Sequence, residues 1–259
     1  MQHDQAYTDK FGLNNKVVFI SGSTRGLGLE MASAMARSGA LVYINGRTAD
    51  STEQACQRLA RLGISVKGLS GDMSQQQEID RCMRQLEAEQ GRCDVLVNNM
   101  GIRIRQPLAD FDLAQMRQML EVNLLGAMYL SQQAAAMMNR QQWGRIITVT
   151  SVAGQVARHG DGVYPITKQG LTGMVRALAV EFATSGITSN AIAPGTFATE
   201  TNLEMVSSAA GERLAARNPT GRWGKPEEIA GLAVFLASDL SSYINGQVIA
   251  VDGGLSVLF

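Results

Sequence analysis

Short apolar runs alternate along the chain with longer stretches in which apolar residues recur every three or four positions. Runs such as Lys16-Val17-Val18-Phe19-Ile20, Asp94-Val95-Leu96-Val97 and Gly144-Arg145-Ile146-Ile147-Thr148-Val149-Thr150 are too short for helices and end in glycine or polar turns. The pattern predicts strands at 16–21, 41–45, 65–69, 94–98, 144–150, 187–192 and 247–251. The amphipathic stretches between them predict helices at 27–38, 50–62, 76–90, 112–139, 163–184 and 226–237. Regular alternation of strand and helix predicts an α/β protein with a doubly wound parallel sheet, in which ligand lies at the carboxyl ends of the strands. Gly22, Asp72, Asn98, Ser151 and Pro194 all fall at such ends.

Composition narrows the class. The 259 residues are 45% apolar, enough for one sizeable core, and no Pro/Ser-rich linker, repeat or low-complexity tract divides them. We therefore expect a polar N-terminal extension over 1–12 and a single domain over 13–259. Lys and Arg number 23, as do Asp and Glu, so there is no basic field for nucleic acid or an anionic membrane. Met1 to Lys10 is polar and no segment has the length and apolarity of a membrane span, which together predict a cytoplasmic protein. Cys56, Cys82 and Cys93 are odd in number and lack metal-ligand spacing, and His3 and His159 cannot form a metal cluster alone. No metal is expected.

The first strand runs into Ser21-Gly22-Ser23-Thr24-Arg25-Gly26-Leu27-Gly28 and then directly into a helical pattern. Strand, glycine loop and helix form the context in which backbone N–H groups and a helix N-terminus can cradle a pyrophosphate. The spacing is Gly-x-x-x-Gly-x-Gly. At the end of the second strand, Tyr43-Ile44-Asn45-Gly46-Arg47-Thr48, Gly46 stands where a carboxylate for the ribose hydroxyls of NAD would be expected, and Arg47 follows it. With Arg25 in the glycine loop, two guanidiniums and a missing acid favour the 2′-phosphate of NADP(H) over NAD(H).

Tyr164 and Lys168 are four residues apart, one helical turn, so they share a face if Tyr164 opens a helix. A phenol used for proton transfer at neutral pH needs a positive neighbour, because it normally titrates near ~10. Lys168 can supply that charge, and Ser151, closing the 144–150 strand, can hydrogen-bond the reacting oxygen. Pro165 suits the first turn of a helix and fixes where that helix begins.

Further motifs follow in order: Asn98-Asn99-Met100-Gly101, Val122-Asn123-Leu124-Leu125-Gly126, Asn190-Ala191-Ile192-Ala193-Pro194-Gly195 and Val251-Asp252-Gly253-Gly254. With the glycine loop and the Tyr164/Lys168 pair, they make the chain resemble the classical short-chain dehydrogenase/reductase family from about Leu13 to Leu258. The resemblance implies a Rossmann-like domain and an NAD(P)-dependent enzyme that interconverts a secondary alcohol and a ketone. It implies a catalytic tetrad of Asn123, Ser151, Tyr164 and Lys168, with Asn123 opening its helix locally to hold a water in a proton relay to Lys168. It also implies cofactor contacts from Gly22, Ser23, Thr24, Arg25, Gly26, Leu27, Gly28, Arg47, Asp72, Met73, Asn99, Gly101, Tyr164, Lys168, Pro194, Gly195, Phe197 and Thr199. Asp72 would take the adenine amino group and Thr199 the nicotinamide carboxamide. The stretch 196–222 would be the substrate lid, and the family's two-fold interfaces imply a homotetramer. Met100 departs from the family's alanine at that position and adds bulk beside the cofactor.

For substrate, Gly101-Ile102-Arg103-Ile104-Arg105-Gln106-Pro107 and Asn218-Pro219-Thr220-Gly221-Arg222-Trp223-Gly224-Lys225-Pro226 resemble the gluconate 5-dehydrogenase branch. That branch implies a sugar acid such as gluconate or 5-ketogluconate, its carboxylate gripped by Arg105, or by Arg103 beside it, and its reacting oxygen held by Ser151 and Tyr164. An alternative is a 3-oxoacyl-(acyl-carrier-protein) reductase, whose carrier-binding arginines are matched here by Gln142 and Ser185. A different class, a catalytically silent nucleotide-binding sensor or scaffold, is opposed by the complete tetrad. Apolar residues on several sides of 112–139 and 163–184, including Met116, Met119, Leu120, Met128, Met174 and Val175, and the tail Leu255-Ser256-Val257-Leu258-Phe259, read as subunit-interface material.

Overall fold

Val17–Ile20 (β1) can face no water: Val18 and Ile20 pack into one apolar layer, Val17 and Phe19 into the other, and all four are buried. A strand apolar on both faces belongs inside a parallel sheet covered by helices. The computed structural model, which describes residues 10–258, shows that sheet. Its strands are β1, β2 (Leu41–Gly46), β3 (Lys67–Ser70), β4 (Val95–Asn98), β5 (Gly144–Val149), β6 (Ile187–Pro194) and β7 (Val248–Val251). They lie in the order β3-β2-β1-β4-β5-β6-β7, every pair parallel. The chain leaves β1 toward β2 and β3 and returns past it to β4, which opens a crevice between the carboxyl ends of β1 and β4. All seven strands expected from the sequence are present.

Helices α1 (Gly26–Arg37), α2 (Ala49–Ala60) and α9 (Ala230–Ala237) cover one face, burying Leu29, Met35, Leu59 and Leu236 against Val18, Val42 and Val97. Helices α3 (Gln76–Gln90) and α5 (Gly126–Gln141) cover the other, with Ile79, Leu86, Leu130 and Met138 on Phe19, Leu96 and Ile146. Two short helices, α7 (Leu203–Val206) and α8 (Ala209–Ala216), occupy the segment after β6. Its base is closed where Ala198 N–H donates to Gly224 O (2.9 Å) and Gly224 N–H to Thr196 O (2.9 Å).

Two expectations need correction. The stretch 112–139 is not one helix: α4 (Leu113–Leu120) passes through a π turn at Glu121–Leu125 before α5, for a reason found at the site. As expected, helix α6 (Tyr164–Glu181) begins on the tyrosine itself, with Pro165 in its first turn. Met119, Met174 and Val175 are not interface material, because they are buried within the subunit, whereas Met128 is exposed. Phe259, His3 and all of Met1–Lys10 except Lys10 lie outside the described residues.

Candidate active site

The glycine loop is held from behind by polar side chains turned inward. Asn45, at the end of β2, accepts from Gly22 N–H (3.1 Å) and donates to Leu69 O (2.9 Å) and Gly71 O (3.0 Å), tying together the ends of three strands. Ser23 is fully buried, its hydroxyl donating to Ile20 O (2.7 Å) and its N–H to Asn45 O (2.8 Å). Its hydroxyl also accepts from Asn45 N–H (2.9 Å), so the Ser23 side chain is committed to shaping the loop. Asn99 donates to Gly22 O (2.7 Å), joining the loop to the end of β4.

Glycine is required here for space as well as for conformation. Gly22 has φ +59°, and a Cβ at Gly28 would stand 2.5 Å from Asn99 Nδ2 and 2.8 Å from Gly22 O. Helix α1 opens at Gly26 with no acidic residue in its first turn and no side-chain cap, so its N–H groups stay available to an anion. Gly26 in turn faces Thr199, 3.6 Å from Cβ to Cγ2, which brings the residue expected at the nicotinamide end up against the phosphate loop.

A cleft of about 1170 Å³ extends from this loop, lined at one end by Arg47, Arg58 and Arg61 and at the other by Met100, Gly101 and Ile102. Arg25, Thr24 and Asp72 also line it. The Asp72 carboxylate already accepts from Ser74 N–H (2.9 Å) and hydroxyl (2.7 Å) through Oδ1. Position 46 has no room for an acid: a Cβ there would lie 2.5 Å from Thr24 Cγ2 and 2.7 Å from Thr52 Oγ1. Sequence reading noted the missing carboxylate; the structure supplies its steric cause. A nicotinamide cofactor with a 2′-phosphate fits this donor set: the glycine cradle would take the pyrophosphate, and Arg25 and Arg47 would take the added phosphate. Arg58 was not anticipated. It pairs with Glu200 from the far side of the cleft.

Two of the four expected catalytic residues meet beside Gly101, with Tyr164 one turn before Lys168 on α6 and Ser151 just after β5. A Cβ on Gly101 would lie 3.4 Å from both Lys168 Nζ and Asn123 Oδ1. Lys168 is buried on α6 and donates to Val149 O at the end of β5 (2.9 Å), with Nζ 5.7 Å from the Tyr164 ring centre. Ser151 follows β5 and accepts from Ala153 N–H (3.1 Å). Asn123 sits in the π turn, wholly buried. Its Oδ1 accepts from Ile102 N–H (2.7 Å), and its Nδ2 donates to Ile102 O (2.9 Å) and Thr167 Oγ1 (3.1 Å). The π turn is thus the local cost of placing one amide between the loop after β4 and α6.

The two arginines of that loop part ways. Arg103 is already engaged, because it forks onto Asp161: Nε donates to Oδ1 at 2.9 Å and Nη2 to Oδ2. Burial raises the Asp161 pKa, but Arg103 and Arg158 outweigh it and hold the carboxyl below its usual value. Arg105 has no ion pair among the described residues. Burial pushes its pKa down, and the charges of Arg103 and Arg158 push the same way. An anion at Arg105 would relieve that.

The remaining expected residues are more structural. Met73 is in the apolar layer under α3 and α5, Leu27 packs from α1 against the layer on the other face, and Phe197 is buried beside Gly224. Gly195 follows Pro194 and donates to Val251 O (3.0 Å), and its hydrogen side faces Asp252, 2.7 Å from a built Cβ to that residue's own. Asp252 is occupied by the N–H groups of Gly254 (2.9 Å) and Ser256 (2.7 Å). Burial pushes its pKa up, but those bonds prevail and hold it low. Cys56, Cys82 and Cys93 are free thiols, all raised in pKa by burial, and no metal-binding cluster of His, Cys, Asp or Glu occurs among the described residues.

A doubly wound sheet with a glycine cradle at its switch point, and Lys168 and Asn123 behind Gly101 of the same cleft, has the architecture of an oxidoreductase of the nucleotide-dependent kind. The chain belongs to the short-chain dehydrogenase/reductase family: the family model described as enoyl-(acyl carrier protein) reductase matches residues 22–256. Within the family, it is 34% identical over 97% of its length to gluconate 5-dehydrogenase of Gluconobacter oxydans (strain 621H), covering 99% of that protein. It is 34% identical to 5-keto-D-gluconate 5-reductase of Escherichia coli (strain K12), over 96% of this chain and 98% of the other. Among solved structures, a gluconate 5-dehydrogenase from Burkholderia cenocepacia J2315 in complex with NADP and tartrate superposes with a TM-score of 0.93 at 34% identity, covering 98% of this chain and all of that one.

Proposed function

We propose that the protein interconverts a secondary alcohol and a ketone on a small sugar acid, gluconate and 5-ketogluconate first among them, with NADP(H) preferred. The observation that carries this reading is the juxtaposition at the inner end of the cleft, where the glycine-lined path ends at Lys168 and Asn123 and Arg105, with no ion pair among the described residues, stands on the adjoining loop. When bound, the nicotinamide supplies the hydride in reduction and accepts it in oxidation. In reduction the Ser151 hydroxyl donates to the carbonyl oxygen and fixes it, and the Tyr164 hydroxyl gives its proton as charge develops there. The Lys168 ammonium stabilises the resulting phenolate and holds the nicotinamide ribose. Oxidation reverses each proton transfer. Arg105 takes the carboxylate as a charge-assisted bidentate pair. The segment 196–222 closes over the substrate, and residues 13–259 act as one domain.

The relatives support the substrate class: two carry gluconate or 5-ketogluconate in their names, and a third holds tartrate, itself a hydroxy acid, beside NADP. Against an acyl-carrier partner, Gln142 and Ser185 are neutral and both turn to Asn139, Nε2 to its carbonyl at 2.8 Å and the Ser185 hydroxyl to its Oδ1 at 2.5 Å. We also propose a cytoplasmic homotetramer. No helix among the described residues is long and apolar enough to cross a membrane. Half-exposed β7 at the sheet edge, together with exposed Tyr243, Val257, Leu258, Leu125, Met128 and Val180, offers apolar surface for two-fold contacts. Sedimentation as a monomer at micromolar concentration would reject the tetramer.

The test is NADPH oxidation with 5-ketogluconate, a neutral diketone and an acetoacetyl thioester side by side. Turnover highest on the sugar acid is expected. A preference for the thioester would move the protein to the acyl branch, and no turnover on any ketone would make it a binding protein.

A further inference from the structure

Asp161 stands three residues before Tyr164, and its side chain has no exposure. A carboxylate so buried persists only when paired. Two guanidiniums pair with it: Arg103 takes both oxygens, and Arg158 Nε donates to Oδ2 at 3.0 Å. Bidentate pairing fixes the plane of the Arg103 group, and that group lies over the Tyr164 ring, Cζ 4.6 Å from the centre. The tyrosine is therefore attended by two cations, of which the proposed reaction uses only Lys168.

The surroundings make the arrangement a built one. Gly162 N–H donates to Gln106 O (3.1 Å), and a Cβ on Gly162 would lie 2.6 Å from Leu108 Cα, so the loop after β4 is pressed onto the segment leading into α6. Ile102, Ile104 and the Tyr164 ring pack together on Phe111, Met119 and Val163. Contact brings the two segments together, and the ion pair then aims one guanidinium at the ring.

We propose that Arg103 is a positioning residue for hydride transfer: clamped by Asp161, it holds the Tyr164 ring in one orientation and keeps a second positive charge over the face of the phenolate. The inference rests on the reading of Tyr164 as the proton donor. It divides the loop's labour, leaving carboxylate recognition to Arg105, since Nε and Nη2 of Arg103 are occupied. Its effect falls on the chemical step, which is common to every substrate.

Arg103→Gln should therefore lower kcat about tenfold for NADPH reduction of both 5-ketogluconate and neutral butane-2,3-dione, with KM for each held within about threefold, the scale of a partly desolvated cation over an aromatic face. Arg103→Lys keeps the charge and loses the fork, so it should restore only part of that loss; full recovery would overturn the clamp. A raised KM confined to 5-ketogluconate, with kcat intact, would make Arg103 a substrate contact and overturn the inference as well. A readout without substrate separates this from the wider reading. The near-ultraviolet circular dichroism of Tyr164, taken as the difference between each protein and its Tyr164→Phe counterpart, should weaken in Arg103→Gln. An unchanged difference spectrum would count against the clamp even in a protein that reduced neither ketone, whereas that lack of turnover would count against the proposed function.

Discussion

The phosphate end of the cleft is built from backbone and the substrate end from side chains. At the first, Gly22 and Gly28 let main chain approach main chain, Gly26 takes a positive φ, and the supporting amides of Asn45 and Asn99 bond to backbone. At the second, Arg103, Asp161 and Arg158 form a charged bracket between two loops, and Arg105 stands beside it with no counter-ion among the described residues. A backbone site tolerates almost no change of residue but treats every dinucleotide alike. A side-chain site can be rewritten for a new substrate while the fold stays put.

The sharpest way to test that division is to remove the atom on which both ends converge. Tyr164→Phe should reduce turnover by roughly 10³-fold, within the range for loss of a general acid, and leave NADPH binding intact because the glycine cradle is untouched. Loss of cofactor affinity on the same scale would mean that the two ends are not separable. The cradle itself answers to Gly28→Ala. The added carbon would lie 2.5 Å from Asn99 Nδ2 and 2.8 Å from a backbone oxygen that cannot yield cheaply, so NADPH affinity should fall by about two orders of magnitude, in line with the ~1–3 kcal/mol cost of overpacking. Substitution there should weaken NADH and NADPH equally.

How much of this was readable in the sequence follows the same line. The strands announced themselves because a parallel sheet buried on both faces demands unbroken apolar runs, and Val17-Val18-Phe19-Ile20 is such a run. The glycine loop was legible because backbone approach allows only one residue type at fixed spacing. Asn45 passed unnoticed, though an amide at the end of an apolar strand, 2% exposed, is a signal that something there needs bonding. The π turn could not be seen in periodicity: it exists to aim Asn123 at Ile102 and Thr167, partners from distant parts of the chain. Arg103 and Asp161 are 58 positions apart, and nothing local marks them as a pair. The same ignorance made Arg103 and Arg105 look interchangeable as carboxylate ligands.

Two substitutions, one at the phosphate end and one on the loop beside the inner end, refine the contrast. Arg47→Asp should turn preference from NADPH toward NADH by roughly tenfold to a hundredfold, as expected for loss of a charge-assisted phosphate contact, measured as the ratio of the two dissociation constants. An unchanged ratio would make Arg47 a solvated residue. Arg105→Ala should raise KM for 5-ketogluconate by about tenfold while butane-2,3-dione is unaffected, because only the acid has a charge to lose. Equal damage to both would mean a disturbed loop.

The smallest expected effect concerns how the bracket responds to acid. Asp161 is held below the usual aspartate value because the arginine interactions outweigh burial. A group with a depressed folded pKa adds stability that is fully present above its unfolded pKa, near ~3.9, and is lost as pH falls through the folded value. Asp161→Asn should therefore melt at a lower temperature than the unaltered protein at neutral pH, and the difference should stay constant down to about pH 4 and close only below it. Differential scanning calorimetry across that range reads the gap directly. A gap that closed already between about pH 6 and 5 would place the carboxyl above its ordinary value, so that burial had beaten the two guanidiniums and the orientation of Arg103 would need another cause.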